Sequence, residues 1–247
     1  MSSLPKGIFI TGTDTGVGKT VVTAAIAWCL KRSGKDVAVM KPVQTGTELD
    51  VLTDIEFVQS VIGEKYSIQD VCPYRFKKPL APLVASRLEN RTIDIDKIIS
   101  AYRSLVSAYE VVIVEGAGGL LVPINSDYLM SDLAEDLGTH LIVVARPGLG
   151  TLNHTVLTVK AAQSRGLSVL GVVISDFPSD PGDAERTNPG LMSEMTGVPI
   201  LGVLPTDPML CVESGNPGNL RETAVNSLSE LLGGNFLLSE FHLALNI

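Results

Sequence analysis

The stretch Gly7-Ile8-Phe9-Ile10-Thr11-Gly12-Thr13-Asp14-Thr15-Gly16-Val17-Gly18-Lys19-Thr20, followed by the apolar-periodic run Val21 to Leu30, constrains the fold more than any other part of the chain. It reads as strand, phosphate-binding loop and helix. Ile8 to Ile10 form the continuous apolar run of a central parallel strand, and Gly12, Gly16 and Gly18 let the next turn expose backbone N–H groups to an anion. The helix behind the loop adds a partial positive charge at its N-terminus. Lys19 can reach a terminal phosphate and the Thr20 hydroxyl can ligate Mg²⁺. The spacing has one irregularity: Thr13 stands where the G-x-x-x-x-G-K-[ST] pattern has its first glycine, and Gly12 lies one residue further out. The bland alternative is a glycine-rich turn that happens to contain Lys-Thr, and such a turn has no need of an apolar strand before it and a periodic helix after it. A nucleoside triphosphate site is therefore expected here.

Further along, apolar strand-length runs alternate with helical periodicity. Asp36 to Met40 reads as a strand after a helix end at Gly34, Asp54 to about Ile62 as a short helix, and Tyr66 to Pro82 as a long proline-rich loop. Leu83 to Leu88 and Asp96 to Ala108 have helical spacing, and Val111 to Val114 is a strand. His140 to Ala145 and Thr151 to Arg165 form the next strand and helix. Val169 to Ile174, a helix around Gly190 to Thr196, and the strand Ile200 to Leu204 follow. The segment Ser179 to Pro189 reads as a polar, proline-rich excursion. Buried strands alternating with helices imply an α/β fold, doubly wound around a mostly parallel sheet with helices on both faces, of the P-loop NTPase type. No linker interrupts the pattern, so one domain spanning residues 1–247 is expected.

Composition then removes other function classes. No run approaches the eighteen apolar residues of a membrane span, and Pro5 and Lys6 precede only a strand-length run, so neither a membrane anchor nor a signal peptide is expected. Cys29, Cys72 and Cys211 are far apart and in no C-x-x-C arrangement, which points away from disulfides and zinc and toward the cytoplasm. A net charge of −8 argues against a nucleic-acid partner.

Three charged residues stand out, two at strand ends and one at a helix start. Pro42 closes the strand before it and fixes Lys41 at its end, where ligands of open α/β sheets bind. Alone, Lys41 would be a solvated lysine before a turn; beside a phosphate loop it can present a second ammonium to the same phosphates. Asp54, taken by itself, is an N-cap or first-turn acid. Glu115 ends the strand Val111 to Val114 just before Gly116-Ala117-Gly118-Gly119, and a carboxylate held there suits a Mg²⁺ ligand better than a solvated loop acid.

Taken together, Gly12 to Thr20, Lys41-Pro42-Val43, Val114-Glu115-Gly116-Ala117-Gly118-Gly119 and Gly150-Thr151-Leu152-Asn153-His154 resemble the dethiobiotin synthetase family, over residues 7 to about 205. The extra residue before Gly18 is a mark of that family. The resemblance implies a homodimeric, ATP- and Mg²⁺-dependent cyclo-ligase that converts 7,8-diaminononanoate and CO₂ to dethiobiotin. It assigns the nucleotide to Asp14, Thr15, Gly16, Val17, Gly18, Lys19 and Thr20, to Glu115, Gly116, Ala117 and Gly118, and to Ser175, Asp176, Leu204 and Pro205. Mg²⁺ falls to Thr20, Asp54 and Glu115. Lys41 becomes the catalytic lysine flanking carbamate and γ-phosphate, and Thr15, Lys41, Thr45, Pro82, Gly118, Gly150, Thr151, Leu152 and Asn153 meet the diamine. After the strand Val169 to Ile174 the family commonly has Asn-Asp, whose amide reads adenine; this chain has Ser175-Asp176.

A rival from another class is a partition or septum-site type ATPase, a nucleotide-switched binding module with a variant phosphate loop. Its members carry a second lysine where this chain has Asp14. Membrane-attaching members end in a basic amphipathic helix, whereas nothing after Arg221 is Lys or Arg. The apolar residues of that tail, Leu237, Leu238, Phe241 and Leu243, read instead as core or dimer packing.

Overall fold

The computed structural model describes residues 4–47 and 51–245. Strand β1 (Gly7–Gly12) is buried along its whole length, and α1 (Lys19–Arg32) begins directly after the phosphate loop. Next come β2 (Val37–Met40), the short β3 (Val43–Thr45) and α2 (Asp54–Ile62), whose start is fixed by Thr53, its backbone N–H donating 2.8 Å to the Glu56 carboxylate. Asp54 is thus the first helical residue, with Thr53 as the cap.

The region expected to be a loop, Tyr66 to Pro82, contains α3 (Ile68–Val71) and β4 (Tyr74–Phe76). Pro73 and Pro79 lie outside β4 rather than in it, and β4 pairs parallel with β3, so its backbone is satisfied away from the main sheet. Pro82 does not precede a helix but opens one, α4 (Pro82–Leu88), where its missing N–H costs nothing. Next follow α5 (Ile95–Ala108), capped by the Asp94 carboxylate, and β5 (Val111–Gly119). The hairpin β6 (Pro123–Asn125) and β7 (Tyr128–Leu129) leads into α6 (Met130–Asp136).

The second half holds β8 (His140–Ala145), α7 (Thr151–Ser164), β9 (Val169–Phe177), α8 (Asp183–Thr196) and β10 (Ile200–Pro205). Most of the expected excursion Ser179 to Pro189 is helix. Asp183 and Glu185 sit in the first turn of α8, complementing its dipole, and Pro189 is carried inside the helix as a buried residue. The tail forms an antiparallel ribbon, β11 (Leu210–Cys211) with β12 (Asn216–Pro217), then α9 (Leu220–Ser227), a tight turn at Glu230–Leu232, and α10 (Leu238–Ala244). The tail packs inward in part: Leu220, Ala224, Leu228, Leu232 and Phe236 are buried, and the Phe241 ring meets Phe177 edge-on at 5.2 Å.

The main sheet has six strands in the order β10-β9-β8-β1-β5-β2, all parallel, with helices on both faces. The order places β1 between β5 and β8, so consecutive strands diverge around it and leave a crevice at the carboxyl ends. No helix among the described residues is long and apolar enough to cross a membrane.

Candidate active site

Register brings the charged strand ends together. Met40 pairs with Val114 and Ile10 with Glu115, so Lys41, one residue past β2, lands beside Glu115, and both face the loop that follows β1. Lys41 and Glu115 are 4% and 2% exposed, unusual burial for two charged side chains, which need partners to stay there. The Lys41 ammonium lies 2.6 Å from Glu115 Oε1 and 2.6 Å from Asp54 Oδ2, with the Gly116 carbonyl at 3.4 Å. Thr20 closes the group by donating its hydroxyl to the same Glu115 oxygen at 2.9 Å.

Electrostatics follow from that geometry. Burial disfavours the Lys41 ammonium, but the two carboxylates more than offset it and hold the lysine protonated well above its ordinary range. Burial also raises Glu115, with the Asp54 charge adding to the effect, while Asp54 is lowered because Lys41 outweighs its desolvation. Lys19 goes the opposite way: desolvation first, then the nearby Lys41 charge, bring it down to about 8. Two ammonium groups thus line one cleft, and an anion placed beside Lys19 would offset the burial and like-charge penalty that this lysine carries.

The loop conformation explains the irregular spacing. Lys19 folds back over the loop, its ammonium donating 2.9 Å to the Asp14 carbonyl. A Cβ on residue 12 would lie 2.8 Å from that carbonyl and 2.9 Å from the ammonium, so the glycine is needed at 12 and a side chain is tolerated at 13. Gly18 has φ of 90°, and a Cβ there would lie 2.3 Å from the Ser175 hydroxyl. Neither position accepts a larger residue.

A cleft of about 810 Å³ runs along these groups. Thr15, Gly16, Gly18, Lys19, Thr20, Lys41, Thr45, Asp54, Pro82, Glu115, Ala117 and Gly118 line it. Asp14, Val17 and Gly116 shape the loop and strand behind that lining: Asp14 accepts from the Thr15 N–H at 2.7 Å, and a Cβ on Gly116 would strike the Phe9 ring at 2.8 Å. Ser175, Asp176, Leu204 and Pro205 are not in the lining, and neither is Gly150-Thr151-Leu152-Asn153, which opens α7. Ser175 and Asp176 lie within β9 rather than after it, Asp176 in the left-handed region at φ 63° beside a register shift against β10.

Several lining residues carry no signal of their own in the sequence. Gln44 lines the wall because β3 turns back from Lys41, and its buried amide oxygen has no hydrogen-bond partner. Leu210, Cys211, Val212 and Glu213 reach the cleft from the tail ribbon, which is anchored where the Leu52 N–H donates 3.1 Å to the Glu213 carbonyl. Two-residue strands leave no period to detect.

The donor set near Lys41 suits one kind of metal. Among the described residues there is no group of three His, Cys, Asp or Glu side chains that could hold a metal ion. Mg²⁺ asks for less: one or two carboxylates, a hydroxyl, waters and substrate phosphate oxygens. The hard oxygens of Thr20, Asp54 and Glu115 meet that requirement.

Comparison with known proteins agrees with this layout. A family model described as an AAA domain matches residues 6–214, which takes in the ribbon at Leu210–Cys211 beyond the span of the sequence resemblance. Among solved structures, the MinC:MinD cell division complex of Aquifex aeolicus superposes with a TM-score of 0.59 at 18% identity, covering 93% of each chain. A ParA family ATPase from Chlorobium tepidum TLS gives 0.56 at 17% identity over 94% of this chain and 97% of that one. These likenesses show the fold alone. The chain is 43% identical over 201 residues to the ATP-dependent dethiobiotin synthetase of Bacillus subtilis subsp. natto, covering 81% of this chain and 87% of the relative. It is 38% identical over 215 residues to that of Anaeromyxobacter sp. (strain K), covering 87% and 96%. With the phosphate loop, the buried Lys41 and these identities in agreement, the chain belongs to the ATP-dependent dethiobiotin synthetase family.

Proposed function

We propose that the cleft closes a ureido ring on 7,8-diaminononanoate with CO₂ and ATP, yielding dethiobiotin, ADP and phosphate. The observation that carries this reading is the pair of buried ammonium groups, Lys19 and Lys41, facing one cleft at the sheet's carboxyl ends. Each chemical step makes or moves negative charge. A neutral substrate amine adds to CO₂ and loses a proton to give a carbamate. A carbamate oxygen attacks the γ-phosphorus and ADP leaves. The second amine attacks the carbonyl of the mixed anhydride, phosphate leaves, and the ring closes. Fixed cations and donors serve such a sequence better than a proton relay, because phosphoryl transfer is accelerated chiefly by positioning and electrostatic stabilisation.

In this reading Lys19 and the loop N–H groups hold the β- and γ-phosphates, and Lys41 stabilises the carbamate and the transferring phosphoryl group. Mg²⁺, held by Thr20, Asp54 and Glu115, would neutralise phosphate charge and compensate the carboxylates that otherwise hold Lys41. Thr15, Thr45, Pro82 and Gly118 line the diamine end, while Ser175, Asp176, Leu204 and Pro205 lie toward the base. The start of α7, Gly150 to Asn153, takes the substrate carboxylate from a second copy of the chain. Leu149 and Leu157, 84% and 60% exposed on that segment, support a homodimer whose partner covers them. One catalytic domain of residues 1–247 working in the cytoplasm fits the free cysteines.

The test is product chemistry. Diaminononanoate, bicarbonate and MgATP are supplied, and mass spectrometry follows the cyclised product together with ADP. One ADP per ring closed is expected; ADP release without ring closure returns the partition-type ATPase.

A further inference from the structure

Beyond the cleft, positive charge is concentrated in one other place against the trend of the molecule. The whole chain carries −8, yet Arg75, Lys77, Lys78, Arg87 and Arg91 face a single acid, Glu89, between residues 75 and 91. Three cations from this part of the fold, Arg75, Arg91 and Lys97, border one concavity of about 500 Å³, which Ile68, Gln69, Cys72 and Pro73 also line. That volume is in the range of small-molecule sites.

The cations are held in place. The Arg91 guanidinium lies over the Phe76 ring, 4.7 Å from its centroid, and donates to the Arg75 carbonyl at 2.6 Å; the Lys97 ammonium lies 5.1 Å from the Tyr74 ring centroid. Such stacking fixes long side chains before any ligand arrives, which lowers the entropy lost on binding. Their charge is only partly compensated: Arg75 helps to hold the Glu56 carboxyl below its ordinary range, after the hydrogen bonds from Thr53. Among the described residues neither Arg75 nor Lys97 forms an ion pair, and Arg91 meets only Glu89, at 3.4 Å. Three like charges around one depression repel one another until an anion lies between them.

The position is separate from the phosphate loop. The depression shares no lining residue with the catalytic cleft: β4 supplies Arg75 to the one, while β3, its parallel neighbour, supplies Gln44 and Thr45 to the other. Two guanidinium forks and an ammonium match several oxygens of a compact polyanion, and Arg pairs with phosphate bidentately. We propose that Arg75, Arg91 and Lys97 form a second anion site, for a small phosphate-class polyanion, beside β4 and apart from the catalytic cleft.

The test uses the full chain saturated with a non-hydrolysable ATP analogue, so that the phosphate loop is filled, and titrates inorganic pyrophosphate calorimetrically. One pyrophosphate per chain is expected, binding more weakly as salt rises. Arg91 and Lys97 are exposed, so the double variant Arg91→Gln/Lys97→Gln keeps its fold, which an unchanged melting temperature verifies. It should lose about tenfold or more in pyrophosphate affinity, as charged hydrogen bonds are worth. Affinity for the analogue itself, a distant site, should stay within about twofold. No binding, equal binding in the double variant, or pyrophosphate uptake only by displacing the analogue would each overturn the site. A titration with citrate separates phosphate recognition from bare charge: equal affinity for citrate overturns the phosphate assignment.

Discussion

The two ends of one sheet edge are built on different principles. Around the carboxyl ends of β1, β2 and β5 lie Lys19, at the start of α1, Lys41 and Glu115, all buried, all charged and all mutually paired or opposed. At β9 and β10 the corresponding positions are Ser175, Asp176, Leu204 and Pro205, without a buried charge and with an irregular register. The first end stores electrostatic energy; the second supplies shape and backbone. Burying Lys41 is tolerable only because Asp54 and Glu115 compensate it, and removing one partner of such a group is far costlier than never having buried it. The first end is therefore held by charges that must compensate one another, while the second has no buried charge to compensate.

The largest expected effect tests the first end. Lys41→Ala should lower kcat on the order of 10²-fold or more, with a much smaller change in the apparent KM for ATP, because a cation aimed at developing charge acts mainly in the transition state. It also strands two carboxylates, and a broken buried pair costs about 3–5 kcal/mol. Thermal denaturation of the same variant separates the two losses. A kcat within about threefold of wild type, well below the scale of one such donor, removes Lys41 from the mechanism.

Gly18 is where the two ends touch, so it gives the next effect. Gly18→Ala forces alanine into the left-handed region, at about 1–2 kcal/mol, and sets a methyl against the Ser175 side chain, where overpacking adds about 1–3 kcal/mol. Adding Ser175→Gly should recover the steric part and not the backbone part. Urea denaturation of the two single variants and the double reads this coupling directly. Strict additivity would show that β9 does not support the loop.

How far the site could be read from the sequence follows the same division. Loop, lysine and glutamate were legible because each is announced locally: glycines at 12, 16 and 18, Pro42 after Lys41, a glycine run after Glu115. What brings Lys41 next to Glu115 is parallel register, which the apolar runs imply but do not number. The ribbon Leu210 to Glu213 had no such announcement, since it is placed by distant contacts: the Leu52 N–H donating to the Glu213 carbonyl, and Leu210 and Val212 packing against the main core. The same holds for α8, where Pro189 and Gly190 suggested a later start and tertiary packing kept the helix through them.

A pH experiment is gentler and concerns Lys19. Its folded pKa of about 8 lies below the ordinary 10.5, so below pH 8 both folded and unfolded chains are protonated and the fold bears the full burial penalty. That penalty fades as pH rises from about 8 toward 10.5, so this residue's contribution to stability improves with pH in that window. ATP reverses the preference by favouring the ammonium. Binding should therefore take up about half a proton at pH 8 and almost none near pH 6.5. Calorimetry in buffers of different ionisation enthalpy measures the uptake; proton release at pH 8 would contradict the assignment of Lys19 to the phosphates.

The smallest effect is expected at the second end, as a discrimination that is missing. An asparagine amide at position 175 could both accept from and donate to an adenine edge, whereas a serine hydroxyl offers one donor hydrogen and cannot make both contacts at once. Ser175 is further constrained, being 3% exposed with its hydroxyl turned against Gly18. A bidentate base contact gives about 1–3 kcal/mol of discrimination, or about five- to 150-fold. With it absent, kcat/KM for GTP or CTP should fall within about tenfold of that for ATP. Turnover of nucleotides in competition at equal concentration decides the matter. Ser175→Asn tests the cause: its longer amide should either restore a preference for ATP or, because Gly18 leaves it no room, displace the loop and weaken all nucleotides alike. A wild-type preference for ATP beyond about a hundredfold, nearly the whole value of the bidentate contact, would assign base reading to another group and leave Ser175 as support for the loop.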